Sequence, residues 1–422
     1  MPNRLLVLFE DISVGHISRE ASRLSFTYSD SWLQHTHAFA LSLNLPLRSE
    51  PYDDGPTRAY FNNLLPEEGV RAKVATNLHV SEKNVYGLLE ALGAECAGAL
   101  SIVPENNAAR SANSPAKPEY IKVTHDQLGN LVANLPHRPL LAGEEGVRLS
   151  LAGAQSKLPL AYDGKRFLLP LHGSPSTHIL KPPIRDLEGS VDNEAFIMIL
   201  ARGVGLPVPS VFITDSFPRG YVVERYDRYV EGGTIRRLHQ EDFCQALGVP
   251  PEIKYENEGG PGLQRCFEIL EHSANPDEDK RLLLMWVIFN FLAGNADTHA
   301  KNLSLLYSKD GIRLAPFYDL LCTGVYGSLT QRLAMKIGGK NDPDFIFSRH
   351  WSRLAVQAGV DATVVLNGLQ SMAELLESIL EEAVATFEQR YGTAPIVRDI
   401  ATFIMARCER TLQRLGTNHL SE

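Results

Sequence analysis

Leu292-Ala293-Gly294-Asn295-Ala296-Asp297-Thr298-His299-Ala300-Lys301-Asn302 is the stretch on which the fold turns. A helix-length apolar run, Leu282 to Phe291, leads into it and breaks at Gly294-Asn295. A cluster of Asp, His, Lys and Asn follows. Then come a short β-type segment, Leu303-Ser304-Leu305-Leu306-Tyr307, and a lone acid in Phe317-Tyr318-Asp319.

Asp297 and Asn302 stand five positions apart, so both side chains can reach one phosphate. The Asp can accept the proton of an attacking hydroxyl, the Asn can hold a metal, and Asp319 can hold metal between phosphates. The pattern D-x-x-x-x-N…Y-D-L follows the protein-kinase template H-R-D-x-x-x-x-N…D-F-G. It departs from that template in having Asn295-Ala296 before the Asp and Leu320 after Asp319. The bland alternative is that Asp297 and Asn302 cap a turn.

Composition leaves room for this chemistry. At 422 residues the chain suffices for two or three domains. With 44% hydrophobic and 22% charged residues it has an ordinary globular mix. The longest apolar run, Leu282–Phe289, is too short for a membrane span and reads as a buried helix. Leu5–Phe9 is too short for the apolar core of a signal peptide, so no membrane partner is expected. Cys96, Cys244, Cys266, Cys322 and Cys408 form no C-x-x-C pair, which fits a reducing cytosol and neither a disulfide framework nor a zinc site. A net charge of −9 argues against a nucleic-acid coat, though not against a local basic patch.

In chain order, Leu5–Phe9, Val14–Ile17, Leu24–Tyr28 and Ala38–Leu43 alternate as short strands. Helices are expected from Ala59, over Val70–Leu78, and over Ser81–Leu92 with Ser81 as cap. Cys96–Val103 returns to strand, and Glu105–Pro118 is the best linker. Leu158–Tyr162 and Phe167–Leu171 flank the hairpin signal Asp163-Gly164. His178–Lys181 ends that β section, Ser190 caps a helix, and Pro207–Ile213 and Tyr221–Tyr226 are further strands. Beyond Arg228 the chain is expected to be mostly helical, beginning at Gln240–Leu247. A β-rich lobe followed by a helical lobe is a bilobal kinase order, with the nucleotide cleft between the lobes and a hinge near Glu224–Arg228.

Lys181, at a strand end, suits the kinase lysine that pairs with nucleotide phosphates. Glu194, opening the next helix, suits its supporting carboxylate. The alternative for Lys181 is a snorkelling strand-end lysine. Ala152-Gly153-Ala154-Gln155-Ser156-Lys157 is a small-residue loop whose backbone could approach phosphates. It matches neither G-x-x-x-x-G-K-[ST] nor G-x-G-x-x-G, and a tight turn explains it equally. Glu224 and Tyr226 are placed to read an adenine edge; the alternative is a strand end with an Arg225–Asp227 surface pair. His239-Gln240-Glu241-Asp242 looks like a helix start. His299 and Lys301 lie inside the D-x-x-x-x-N loop, where one could steer phosphate charge.

Taken together these pieces resemble the HipA family of bacterial serine/threonine kinases, toxins of type II toxin–antitoxin modules. The resemblance runs over Ala59–Pro66, Tyr86–Leu92, Ser150–Lys157, Thr177–Lys181, Val191–Glu194 and Val223–Arg228, then His239–Gln245, Lys254–Gly262, Asp297–Asn302 and Pro316–Leu320. It implies an α+β, bilobal protein-kinase-like fold with an extra N-terminal β/α subdomain and an all-helical C-terminal lobe. The divisions would fall at 1–110, 111–230 and 231–422. It implies Asp297 as catalytic base, Asn302 and Asp319 as Mg2+ ligands and Lys181 as phosphate lysine. Ala152–Lys157 would be the ATP phosphate loop, with His299 and Lys301 nearby, and Glu224 and Tyr226 would form the adenine hinge. Ser150 matches the serine the family autophosphorylates, silencing itself. The implied partners are a HipB-like helix-turn-helix antitoxin, operator DNA through that antitoxin, and an aminoacyl-tRNA synthetase substrate, commonly the glutamyl enzyme. Ser156 departs from the pattern, standing where a Glu is common. Two rival readings stay open: a corepressor with weak or silenced activity, and a small-molecule kinase.

Overall fold

The computed structural model describes residues 4–106 and 118–416. The expected linker Glu105–Pro118 lies mostly outside the described residues. The described chain gathers into two compact units: residues 1–182, 215–252 and 305–308 in the first, and 183–214, 253–304 and 309–422 in the second.

The first unit opens with β1 (Arg4–Phe9), β2 (Ile12–Glu20) and β3 (Arg23–Tyr28), joined later by β4 (Leu100–Pro104) in the antiparallel order β3-β2-β1-β4. Alternation drives this sheet. Leu5, Val7, Ile17, Leu24 and Phe26 are buried on one face, as a period of two requires. Helices α1 (Asp54–Phe61), α2 (Glu68–Asn77) and α3 (Val85–Leu92) contribute to the same core, with Phe61 packed 5.5 Å from Phe26 between ring centroids. Asn84 rather than Ser81 caps α3, because its side chain accepts the Gly87 N–H. Ala38–Leu43 is not a strand; it is an irregular segment whose Leu41 N–H donates to the Tyr28 hydroxyl.

A second antiparallel sheet follows, with β5 (Glu119–Val123), β6 (Leu158–Tyr162), β7 (Phe167–Leu171), β8 (His178–Lys181) and β9 (Tyr221–Glu224) in the order β5-β7-β6-β8-β9. The Asp163-Gly164 turn closes β6 on β7 as expected. α4 (His125–Asn134) was not anticipated; Thr124 and Gln127 form its capping box. Beyond Arg228 the chain is mostly helical as expected, but strands come first. β10 (Arg228–Glu231) pairs with β11 (Thr234–Arg237), and β12 (His239–Asp242) follows. The polar run His239–Asp242 is thus a buried strand, and only Asp242 acts as a helix cap, accepting the Gln245 N–H.

One ion cluster ties this unit together. Glu95 is fully buried and pairs with Arg225 at 3.2 Å, Arg228 at 3.0 Å and Arg237 at 2.5 Å. Asp227 pairs with Arg225 at 2.7 Å and Arg228 at 2.9 Å and accepts the Gly98 N–H. The Arg225–Asp227 pair is therefore buried, not a surface pair, because its counter-charge comes from far earlier in the chain. Burial alone would raise the Glu95 carboxyl; Arg228, Arg237 and Arg225 outweigh it and hold it down at about 2.

In the second unit, α5 (Ser190–Gly203) starts after Gly189, which takes a left-handed conformation; Ser190 is its first residue, and its hydroxyl accepts the Ile184 N–H. α6 (Leu263–Ile269) precedes α7 (Pro276–Ala293), which begins with an Asn275 cap, Pro276 and three acids in the first turn. α7 is buried along most of its length and stops at Gly294, at φ +74°. A Cβ at Gly294 would sit 2.2 Å from the Phe403 ring. α8 (Ser348–Ala358), α9 (Ala362–Tyr391) and α10 (Pro395–Gly416) complete the unit. Val397, Ile400, Ile404 and Cys408 form the buried stripe of α10. All five cysteines are free and buried. Among the described residues no helix is long and apolar enough to cross a membrane.

Glu95→Ala leaves the buried Arg225 and Arg228 sharing Asp227 alone and takes the half-buried Arg237 off its carboxylate. A loss of about 3–5 kcal/mol is expected, read as a lowered urea midpoint. The folded Glu95 titrates below its unfolded value of 4.5, so on acidification the unfolded chain takes up the proton first. The stabilisation is complete above pH 4.5 and is lost as pH falls toward 2, so Glu95→Gln should flatten the acid limb of stability against pH. Gly294→Ala should cost more than the ~1 kcal/mol of left-handed backbone strain alone, because the methyl also meets Phe403; thermal unfolding checks it.

Candidate functional site

The centre of the second unit is the loop beyond Gly294. From Trp286 to Leu305 every residue is buried except Asp297, which is exposed. The loop is held from within. Asn295, itself buried, donates from its backbone to Asn290 O at 2.9 Å and from Nδ2 to Asn290 Oδ1 at 2.9 Å. Its Oδ1 accepts the Asp297 N–H at 3.2 Å, and its Nδ2 reaches the Asp319 carbonyl at 3.5 Å. Ala296 N–H donates to Thr323 Oγ1, and Ala296 O accepts the Ala334 N–H, each at 2.8 Å.

Asn302 closes the other end, its Oδ1 accepting the His299 N–H at 3.0 Å. His299, Lys301 and Asn302 are all buried. The Lys301 carbonyl accepts from the Tyr318 hydroxyl at 2.7 Å, which also bonds Ser304 Oγ at 2.8 Å. Asp319, one residue on, has φ +53°, a left-handed conformation unusual for a side chain that is not glycine. Within the second unit Asn295 thus ties the Asp297 and Asp319 backbones together, and Asn302 closes the same loop on His299. Glu194 is buried on α5, and its neighbour Asn193 exchanges two hydrogen bonds with the Cys322 backbone, at 2.8 and 2.9 Å.

The first unit carries the other expected residues. Lys181 is buried at the end of β8, opposite Tyr221 in register, with its ammonium 5.5 Å from the Tyr221 ring centroid. It is not a snorkelling surface lysine. Gln155 Nε2 reaches Pro182 O at 3.5 Å, linking the loop Ala152–Lys157 to the end of that strand. The loop closes on itself: Lys157 Nζ donates to Ala152 O at 2.6 Å, and Gly153 has φ +113°. Gly153 O also accepts the Glu67 N–H at 3.2 Å. Ala154 is exposed and Ser156 half-buried. Ser150 is fully buried; its hydroxyl donates to Leu64 O at 2.7 Å and its N–H to Glu95 O at 2.9 Å. Glu224 is exposed at the end of β9, and the half-buried Tyr226 donates its hydroxyl to Gln240.

Two residues of this constellation escaped sequence reading. Asn295 was read only as a departure from the kinase template, although the network above hangs on it. Tyr255 lies in the quoted stretch Lys254–Gly262 without a role, yet its hydroxyl donates to Asp297 Oδ1 at 3.0 Å. The arginines near the end of α10 are engaged within the unit. In the structure Arg407 lies over the Phe291 and Phe403 rings, Arg410 pairs with Asp344, and Arg414 donates to Ile346 and Asp344 carbonyls.

Comparisons with known proteins agree with this layout. The HipA-like C-terminal domain profile matches residues 149–390, and the HipA N-terminal domain profile matches residues 5–103. The chain is 44% identical over 366 residues to a putative kinase, Y4mE, of Sinorhizobium fredii, covering 85% of this chain and 87% of that one. It is 30% identical over 420 residues to the serine/threonine-protein kinase toxin HipA of Shewanella oneidensis, covering 95% and 94%. The solved complex of Shewanella oneidensis HipA with HipB and its operator DNA contains a chain that superposes with a TM-score of 0.84 at 28% identity, over 98% of each chain. With both domain profiles matched and the kinase-like fold in place, the chain belongs to the HipA family of protein kinases.

Proposed function

We propose that this kinase transfers the γ-phosphoryl group of ATP to a serine hydroxyl of a protein, with Asp297 as the proton acceptor. The observation that carries the reading is the exposure of Asp297: it is the one exposed residue of a buried, cross-bonded loop in which Asn295 bonds both the Asp297 N–H and the Asp319 carbonyl and Asn302 bonds the His299 N–H. The serine oxygen forms the new O–P bond, the bond from the γ-phosphorus to the bridging oxygen breaks, and ADP leaves. The serine proton passes to the Asp297 carboxylate. Such transfer asks the protein mostly for positioning and charge neutralisation.

Lys181, buried at a strand end, is assigned to the phosphates, with Glu194 as its supporting carboxylate. The Ala152–Lys157 loop, including Gly153, Ala154, Gln155 and Ser156, is assigned to the phosphates as well, with His299 and Lys301. Glu224 and Tyr226 are assigned to the adenine. The donors at Asn302 and Asp319 are oxygens on a pinned backbone, and Asn302 Oδ1 keeps a second lone pair beside the His299 N–H. That set suits a hard cation, so both residues fit Mg2+. When bound, Mg2+ would neutralise phosphate charge. The divisions 1–110, 111–230 and 231–422 remain our functional partition of the chain.

The finer biology is carried by the family. We assign an aminoacyl-tRNA synthetase, with the glutamyl enzyme as the first to test, as substrate, and arrest of translation and dormancy as the outcome. A HipB-like antitoxin would hold the kinase, and operator DNA would be reached through it, as the Shewanella complex supports. The corepressor reading rests on that same complex. Gel shifts with the cognate antitoxin, using wild-type and Asp297→Ala protein, separate repression from catalysis.

Ser150 is the proposed self-silencing site. Its hydroxyl is fully buried on Leu64 O, so phosphorylation requires the segment to leave its seat, which accounts for silencing by displacement.

Incubation with labelled ATP, Mg2+ and a panel of aminoacyl-tRNA synthetases should label one synthetase. Asp297→Ala should lower that rate by about 10²–10⁴-fold with nucleotide binding retained, and equal activity in the variant would refute the assignment. Ser150→Ala should remove the self-phosphorylation that mass spectrometry maps after ATP treatment and should prolong activity; wild-type protein unmodified at Ser150 would refute the silencing site.

A further inference from the structure

We propose that Tyr255 is the positioning residue of the phosphotransfer base, fixing the Asp297 carboxylate for the incoming serine; this rests on the reading that Asp297 accepts the proton. The contact is direct: the Tyr255 hydroxyl donates to Asp297 Oδ1 at 3.0 Å. An exposed aspartate on a loop has two side-chain torsions to settle. A base contributes fully only when it is held close to its reactive geometry. Asn295 fixes the Asp297 backbone N–H, and the Tyr255 hydroxyl acts on the carboxylate itself.

Tyr255 is well placed to do so because it is itself immobilised. Its carbonyl accepts the Glu258 N–H at 3.0 Å and the Gly260 N–H at 2.9 Å, closing a tight loop. Gly260 cannot be replaced without strain, since a Cβ there would lie 2.2 Å from Ile253 O. Glu256 anchors the loop by accepting the Lys336 N–H at 2.6 Å. The Tyr255 ring stands edge-on to His299, with centroids 5.1 Å apart, and the Lys254 ammonium lies 5.3 Å from its centre. His299 belongs to the same loop as Asp297, so ring and hydroxyl grip the loop at two points.

The arrangement also answers the departure from the kinase template. The His-Arg pair that precedes the aspartate there is Asn295-Ala296 here, and Ala296 has no polar side chain. The carboxylate is instead oriented by a residue that lies 42 positions earlier in the sequence.

The test uses the full chain, labelled ATP with Mg2+, and dephosphorylated casein as serine acceptor. Tyr255→Phe keeps the ring packing on His299 and removes only the donor. It should lower kcat about tenfold or more while the KM for ATP and the affinity for a fluorescent ATP analogue stay within twofold. Tyr255→His, which restores a ring N–H, should recover part of the rate. A Phe variant with wild-type kcat overturns the proposal, and so does one that loses nucleotide affinity in step with rate, since that marks a merely structural role. Transfer by wild type that is abolished in Asp297→Ala yet untouched in Tyr255→Phe defeats this inference alone. Nucleotide binding without any transfer by wild type defeats the proton-acceptor reading and this inference with it.

Discussion

The second unit depends on one backbone constraint, the left-handed stop at Gly294. α7 is buried along most of its length, and its last turn runs directly into the loop of Asp297. The Phe403 ring occupies the space a side chain would need, so the helix can end only where a residue has none. Thr323 then donates to the Gly294 carbonyl at 3.0 Å while accepting from Ala296. The direction in which the loop leaves the helix is therefore set before any polar side chain acts. Asn295 can bond Asn290 and the Asp319 carbonyl because that exit angle brings it back over the helix end.

Much of this was legible in the sequence because it is local. An apolar run that ends in Gly-Asn announces a buried helix and its stop. Asp163-Gly164 between alternating segments announces a hairpin, and Lys181, read at a strand end, stands at the end of β8. Local signals also misled where two candidates stood close together. Asn84 outcompeted Ser81 as a cap since its side chain meets the Gly87 N–H. Gly189 precedes α5 in a conformation that a serine would adopt only with strain, which moves Ser190 inside the helix.

What stayed hidden is non-local. Arg225-Tyr226-Asp227 reads as an exposed strand end until Glu95 and Arg237 are brought beside it, and no periodicity in the sequence records that meeting. His239–Asp242 reads as a helix start because it is polar. It is a strand because its polar groups find buried partners: His239 meets Leu41 O at 2.8 Å, and Glu241 accepts the Leu43 N–H at 3.1 Å. Burial raises the Glu241 carboxyl to about 7, so even its charge at neutral pH could not be read from its type. Tyr255 and Asp297 meet in the same way, through the fold rather than through spacing.

The cluster around Glu95 bears on how separable the parts of this protein are. Its acid lies within the N-terminal domain profile, while its arginines come from the region matched by the C-terminal one. Cutting the chain between the two would part Glu95 from all three arginines and leave Arg225 and Arg228 with Asp227 as their only carboxylate of the cluster. Neither fragment inherits a balanced interior. The regions matched by the two profiles therefore share one ion cluster and are not electrostatically independent. Exchange of this segment between relatives should succeed only where glutamate and arginines travel together.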